Sequence, residues 1–114
     1  MNTLNQYWPL LGFAVWLAYK WWRARKIVAL LPDLKSQGAI LIDVRSVGEF
    51  ATASALGTLN IPLTDLSNRL SEIPKDKPVI LCCASGTRSG MAKLLLLKNG
   101  YRNVHNIGNW SNLA

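Results

Sequence analysis

Two adjacent cysteines, Cys82 and Cys83, open the one stretch of this chain whose side chains and spacing could do covalent chemistry. After them come Ala84, Ser85, Gly86, Thr87 and Arg88, a loop set between a strand-like run (Pro78 to Cys82) and a helix-like run (Ser89 to Asn99). A compact strand-to-helix loop turns several backbone N–H groups toward its own centre, and the following helix adds the positive end of its dipole. A thiol there, with Arg88 close by, is expected to ionise readily, because those groups stabilise the thiolate. Cys83 is therefore the candidate nucleophile, and Ala84, Ser85, Gly86, Thr87 and Arg88 are the residues expected to bind its substrate. Cys82, inside the strand, reads as a small buried hydrophobe. Being neighbours, the two sulfurs suit neither a structural disulfide nor a paired C-x-x-C metal site.

Elements must hold this loop in place. Ala39 to Val44 is a continuous apolar run with Asp43 near its end, the pattern of a strand covered on both faces. Ser46 to Ala53 begins with Ser and has Glu49 three positions on, a capping-box spacing that predicts a brief helix. Gly57 to Pro62 leaves room for a small strand. Leu63, Leu66, Leu70 and Ile73 recur at helical spacing, with Thr64 as N-cap and Pro74 as stop. Pro78 to Cys82 is a second buried strand, Ser89 to Asn99 a helix that Gly100 ends in the left-handed conformation, and Tyr101 to Ile107 a last strand. Strands alternating with helices predict an α/β layer fold with a largely parallel sheet.

The chain has 114 residues and a formal net charge of +7. Half its residues are hydrophobic, too many for a disordered tail, and two cysteines are too few for a disulfide scaffold. So basic a balance raises nucleic acid or an anionic membrane as partner. Four of the cations, Lys20, Arg23, Arg25 and Lys26, fall within seven positions, beside the tryptophans Trp8, Trp16, Trp21 and Trp22 and the apolar run Tyr7 to Tyr19. That grouping points to a membrane and not to nucleic acid. A secretory signal needs positive charge before its apolar core, and an in-plane helix needs a polar face; both are missing. A buried core helix is the plainer alternative. The expected organisation is a transmembrane helix over residues 4–22, a basic juxtamembrane linker over 23–33 and an α/β domain over 34–114. The positive-inside rule makes this a single-pass membrane protein with the domain in the cytoplasm. Within the linker, Ile27 to Leu31 prolongs the first helix until Pro32 interrupts it, and Asp33 to Gln37 forms a separate turn closed by Gly38.

Counted from Cys83, the loop reads C-x-x-G-x-R, the six-residue loop of sulfurtransferases. Counted from Cys82 it reads C-x5-R, the tyrosine-phosphatase length, but Leu81 and Ser85 stand where that pattern has His and Gly. With Leu41-Ile42-Asp43-Val44-Arg45, Glu49-Phe50, Gly57 to Pro62, the loop, Gly100-Tyr101 and Asn103 to Gly108 in this order, Leu34 to Trp110 resembles a single-domain rhodanese. The resemblance implies a small parallel sheet flanked by helices and a sulfurtransferase that carries sulfane sulfur as a Cys83 persulfide. The donor would be thiosulfate or a persulfide, the acceptor cyanide or a thiol, with no metal or organic cofactor. A non-enzymatic, membrane-tethered module for sulfur carriage or docking is the alternative. Asp43 and Arg45 match the family's first motif as supporting residues, Asp43 accepting loop hydrogen bonds and Arg45 pairing with an acid such as Glu49. His105 is expected to lie away from the loop. Ser54 stands where the family often has a His, and Arg88 is the only cation within the loop to meet a dianion. Nothing in the sequence sets an oligomeric state.

Overall fold

The computed structural model describes residues 4–114. Strands β1 (Ile40–Asp43), β2 (Leu59–Asn60), β3 (Val79–Cys83) and β4 (Val104–Asn109) form one parallel sheet in the order β2-β1-β3-β4. Helices α1 (Leu4–Ser36), α2 (Val47–Thr52) and α3 (Thr87–Lys98) flank it, and short 3₁₀ turns occupy Leu63–Asn68, Leu70–Glu72 and Trp110–Leu113. The α/β layers and the parallel sheet are those expected.

All five side chains of β3 are buried, since the strand is central and both its faces are covered. Alternation sorts them. Val79, Leu81 and Cys83 join a core with Ile42, Val44, Ala92 and Leu96, on the side of α3. Ile80 and Cys82 join a second core with Ile107 and with Ile27, Leu31 and Leu34 of α1. The period of two in a strand thus sends neighbouring cysteines into opposite layers.

The structure corrects the reading of the N-terminal region. Among the described residues, no helix is long and apolar enough to cross a membrane, so the transmembrane helix expected over 4–22 is not supported. α1 has the length, 33 residues, but its apolar run covers only Tyr7 to Tyr19. Any longer window takes in Gln6 at one end or Lys20 at the other, and the run's indoles and phenols prefer an interface to hydrocarbon. The stretch 23–33 is helical too, and Pro32 does not interrupt it. A proline inside a helix costs about 3 kcal/mol. Burying Ile27, Leu31 and Leu34, spaced to share one helix face, gains about 2 kcal/mol each, so packing prevails. The chain leaves the helix at Gly38 instead, with φ +83.

From Gln6 to Arg23 every side chain of α1 is exposed except Lys20, which is half-buried. The basic cluster and the aromatics are coupled along this helix. Lys20 stands over Trp16, Arg23 over Tyr19, Arg25 over Trp21 and Lys26 over Trp22, each one turn back and 4.8–5.8 Å from the ring centre.

Two local details also differ. The Leu63 to Ile73 segment forms two 3₁₀ turns, with Pro62 and not Thr64 at the first cap. Arg69 separates them, giving Nη1 to the Asn60 carbonyl and pairing with Glu72. At α2 the expected capping box is present, with Ser46 and Glu49 each accepting the other's backbone N–H.

Candidate active site

β3 ends at Cys83 and α3 begins at Thr87, so the chain reverses within three residues. Gly86 permits this. Its φ is +91, and a Cβ there would lie 3.4 Å from the Cα of Gly108. Turned this way, the Gly86 N–H donates to Cys83 Sγ at 2.8 Å, and Ser89 Oγ lies 3.2 Å from the same sulfur. Burial alone pushes the Cys83 thiol up. Hydrogen bonds from the Ser89 side chain and from the N–H groups of Ser89, Ser85 and Gly86 outweigh it, so the net shift is downward. Cys82 has no such donors, and burial, reinforced by Asp43, pushes its thiol up to about 12.

The N–H groups face the sulfur because the loop carbonyls are drawn the other way. Asn109 Nδ2 donates to the Ala84 carbonyl at 2.7 Å, and Asn106 Nδ2 to that of Gly86 at 3.0 Å. Between them, Lys20 Nζ of α1 reaches the Ser85 carbonyl at 3.5 Å. Asn106 Oδ1 also accepts from Ser89 Oγ at 2.6 Å and from the Gly108 N–H at 3.0 Å. A serine has one hydroxyl proton. Given to Asn106, it leaves Ser89 Oγ free to accept from the Cys83 S–H; given to the sulfur, it stabilises the thiolate.

Ser89, Asn106, Asn109 and Lys20 were not among the site residues expected from the sequence. A cluster of amides at the end of the last strand was the available signal, and the pairing of β4 with β3 explains why it was weak. Leu81 lies opposite Asn106 but Cys82 lies opposite Gly108, so the register skips Ile107 and brings Asn109 opposite Cys83.

Arg88 grips Glu49 with both ends of its guanidinium, at 2.7 and 3.0 Å. Those bonds, with the capping bonds from Ser46, hold the Glu49 carboxyl down at about 2. The expected pairing of Arg45 with Glu49 is therefore corrected: Glu49 belongs to Arg88, and Arg45 is bound by Asp43. The Asp43 carboxylate accepts from the Arg45 backbone N–H and guanidinium at 2.7–3.0 Å, and not from the loop as expected. Arg45 also donates to the Ala53 carbonyl at 2.7 Å and lies over the Trp110 ring. This buried pair fastens the ends of β1, α2 and the C-terminal turn together, and its hydrogen bonds hold the Arg45 pKa up. Ala84, Ser85 and Thr87 are exposed at the loop surface. His105 is half-buried, with Nε2 2.6 Å from Asn103 Oδ1, and burial together with Lys93 pushes its pKa down. Among the described residues, no cluster of three or more His, Cys, Asp or Glu side chains could hold a metal ion.

Comparison with known proteins agrees with this geometry. The family model described as a rhodanese-like domain matches residues 27–111. An uncharacterized Bacillus subtilis (strain 168) protein, YqhL, is 48% identical over 69 residues, 60% of this chain and 55% of its own length. The chain thus spans little more than half of that relative. The thiosulfate sulfurtransferase PspE of Escherichia coli (strain K12) is 35% identical over 75 residues, 64% of this chain and 72% of its own. A solved structure described as a rhodanese with anions from E. coli superposes with a TM-score of 0.60 at 34% identity, covering 67% of this chain and 92% of that one.

Proposed function

The chain belongs to the rhodanese family, and on that premise we propose that it is a sulfurtransferase carrying sulfane sulfur as a persulfide on Cys83. The observation that carries this reading is the Cys83 sulfur, buried yet lowered in pKa by the inward N–H groups and Ser89. With thiosulfate as donor, the Cys83 thiolate attacks the outer sulfur. A Cys83 sulfur–sulfur bond forms, the sulfur–sulfur bond of thiosulfate breaks, and its electron pair leaves with sulfite. Cyanide or a thiolate then attacks the outer sulfur of the persulfide, and the Cys83 thiolate is released. Charge balances in both steps, so no proton donor is required at the sulfur.

In this scheme the loop N–H groups hold first the thiolate and then the persulfide anion. Ser89 turns its hydroxyl hydrogen bond from Asn106 to the sulfur whenever Cys83 carries the negative charge. Ala84, Ser85 and Thr87 form the rim that the donor crosses. Arg88 shapes the loop from the α2 side, its charge already shared with Glu49. Asp43 and Arg45 keep the strand ends in place. A purely docking role would leave the N–H groups turned toward the Cys83 sulfur without a use.

The test is thiocyanate production by the full chain from thiosulfate and cyanide. Cys83→Ser should abolish it and Cys82→Ser should retain it; activity in the Cys83 variant would refute the assignment. Mass spectrometry of the wild type after donor alone should show an adduct of about 32 Da, one sulfur atom, on the peptide containing Cys83.

A further inference from the structure

Independently of the chemistry at Cys83, we propose that the exposed N-terminal half of α1 docks the domain on the surface of an anionic lipid bilayer, entering one leaflet without crossing it. α1 runs antiparallel to the strands. Its second half covers the sheet through Ile27, Leu31 and Leu34, while Lys20 Nζ reaches the Ser85 carbonyl just past the end of β3. The turns before Lys20 therefore project beyond the sheet, about 25 Å of helix at about 1.5 Å per residue. The molecule is accordingly 59 Å long against 30 and 28 Å across.

The projecting turns are apolar on every side. Leu10, Phe13 and Leu17 share one helix face and Trp8, Leu11 and Val15 the opposite one, and all six are exposed. A groove on a protein or a single second helix would cover one of these faces and leave the other in water, whereas lipid surrounds both. Charge then selects the lipid. No carboxylate precedes Asp33, and Lys20, Arg23, Arg25 and Lys26 follow the apolar run directly. Lys20 and Arg23 share a cleft of about 470 Å³ with Lys93 of α3, and among the described residues no carboxylate lines it, so its field favours phosphate headgroups. The rings of Trp16, Tyr19, Trp21 and Trp22 lie 4.8–5.8 Å from these four cations, and indoles and phenols settle at headgroup level. Rings and cations thus reach the same depth. The apolar run Tyr7 to Tyr19 is about 20 Å long against about 30 Å of bilayer hydrocarbon, so insertion stops within one leaflet.

The test uses the full chain with vesicles of phosphatidylcholine alone or of equal parts phosphatidylcholine and phosphatidylglycerol. The chain should sediment with the mixed vesicles and much less with the neutral ones. Four of the five tryptophans lie in α1, so binding should shift their emission to the blue. Brominated lipids should quench that emission more with bromine near the headgroup than at the bilayer centre. Arg23→Gln, Arg25→Gln and Lys26→Gln together should weaken binding to the mixed vesicles about a hundredfold, about fivefold for each cation. The charge-preserving set Arg23→Lys, Arg25→Lys and Lys26→Arg should keep it. Trp8→Ser with Val15→Ser should weaken binding severalfold; these side chains are 74% and 68% exposed, so the fold does not need them. Equal binding to both vesicles, binding to neither, or binding that survives the three glutamines overturns the proposal, as does stronger quenching from the bilayer centre. A chain that sediments as a dimer in buffer and stays in the supernatant with vesicles assigns the surface to a second copy instead.

Discussion

The two layers on either side of β3 are built from the same kinds of residue yet treat a cysteine in opposite ways. On the α1 side, Cys82 sits among Ile27, Leu31, Leu34, Ile80 and Ile107, where nothing donates to sulfur, and its thiol is pushed up to about 12. On the α3 side, Cys83 is equally buried, but it closes the strand, so the next residues turn back and present N–H groups to it. Burial penalises a thiolate in both layers. Only hydrogen bonds reverse the sign. Reactivity here is a property of where the strand ends, not of exposure.

The largest effect separates the two sulfurs directly. Cys83→Ser should lower sulfur transfer by about 10³-fold or more, whereas Cys82→Ser should stay within a fewfold of wild type; equal losses would erase the distinction between the layers. Next come the cores themselves. Chemical denaturation should show Leu96→Ala, on the α3 side, costing about 3 kcal/mol and Leu31→Ala, on the α1 side, about 2 kcal/mol. A Leu31 variant as stable as wild type would mean that α1 is not part of the core.

Ser89→Ala removes a hydrogen bond that stabilises the thiolate, so the Cys83 thiol should titrate higher and its alkylation at neutral pH should slow about threefold to tenfold. The smallest effect concerns Glu49. Its carboxyl is held from 4.5 down to about 2, chiefly by Arg88. The pair's contribution to stability is therefore full above the ordinary carboxyl range and is lost as pH falls through about 2. With the side chain 39% exposed, screening keeps that contribution small. Carboxyl-resolved NMR should place the midpoint near 2 in the wild type and closer to 4.5 in Arg88→Ala.

Much of the fold could be read from local pattern. The buried runs became β1 and β3, the Ser46–Glu49 spacing became a capping box, and Gly100 took the left-handed conformation with φ +90. The loop was legible too, since the strand, Gly86 and the start of α3 are contiguous in the chain. Misreadings arose where a distant contact competed with a local rule. Pro32 marks a helix end by itself, but the face formed by Ile27, Leu31 and Leu34 finds a sheet to cover. Tyr7 to Tyr19 is apolar enough to suggest a span, but the helix that holds it is not long and apolar enough to cross a membrane.

By itself, the sequence determined the setting of the two cysteines: strand alternation buries Cys82, the C-x-x-G-x-R spacing places Cys83 at the turn, and both are properties of neighbouring residues. Tertiary structure alone decided who partners whom. Glu49 meets Arg88 across 39 positions, and Lys20 reaches Ser85 across 65. Arg45, two residues from Asp43, takes that carboxylate first. Such pairings depend on which elements the sheet order sets side by side, and no local period records that order.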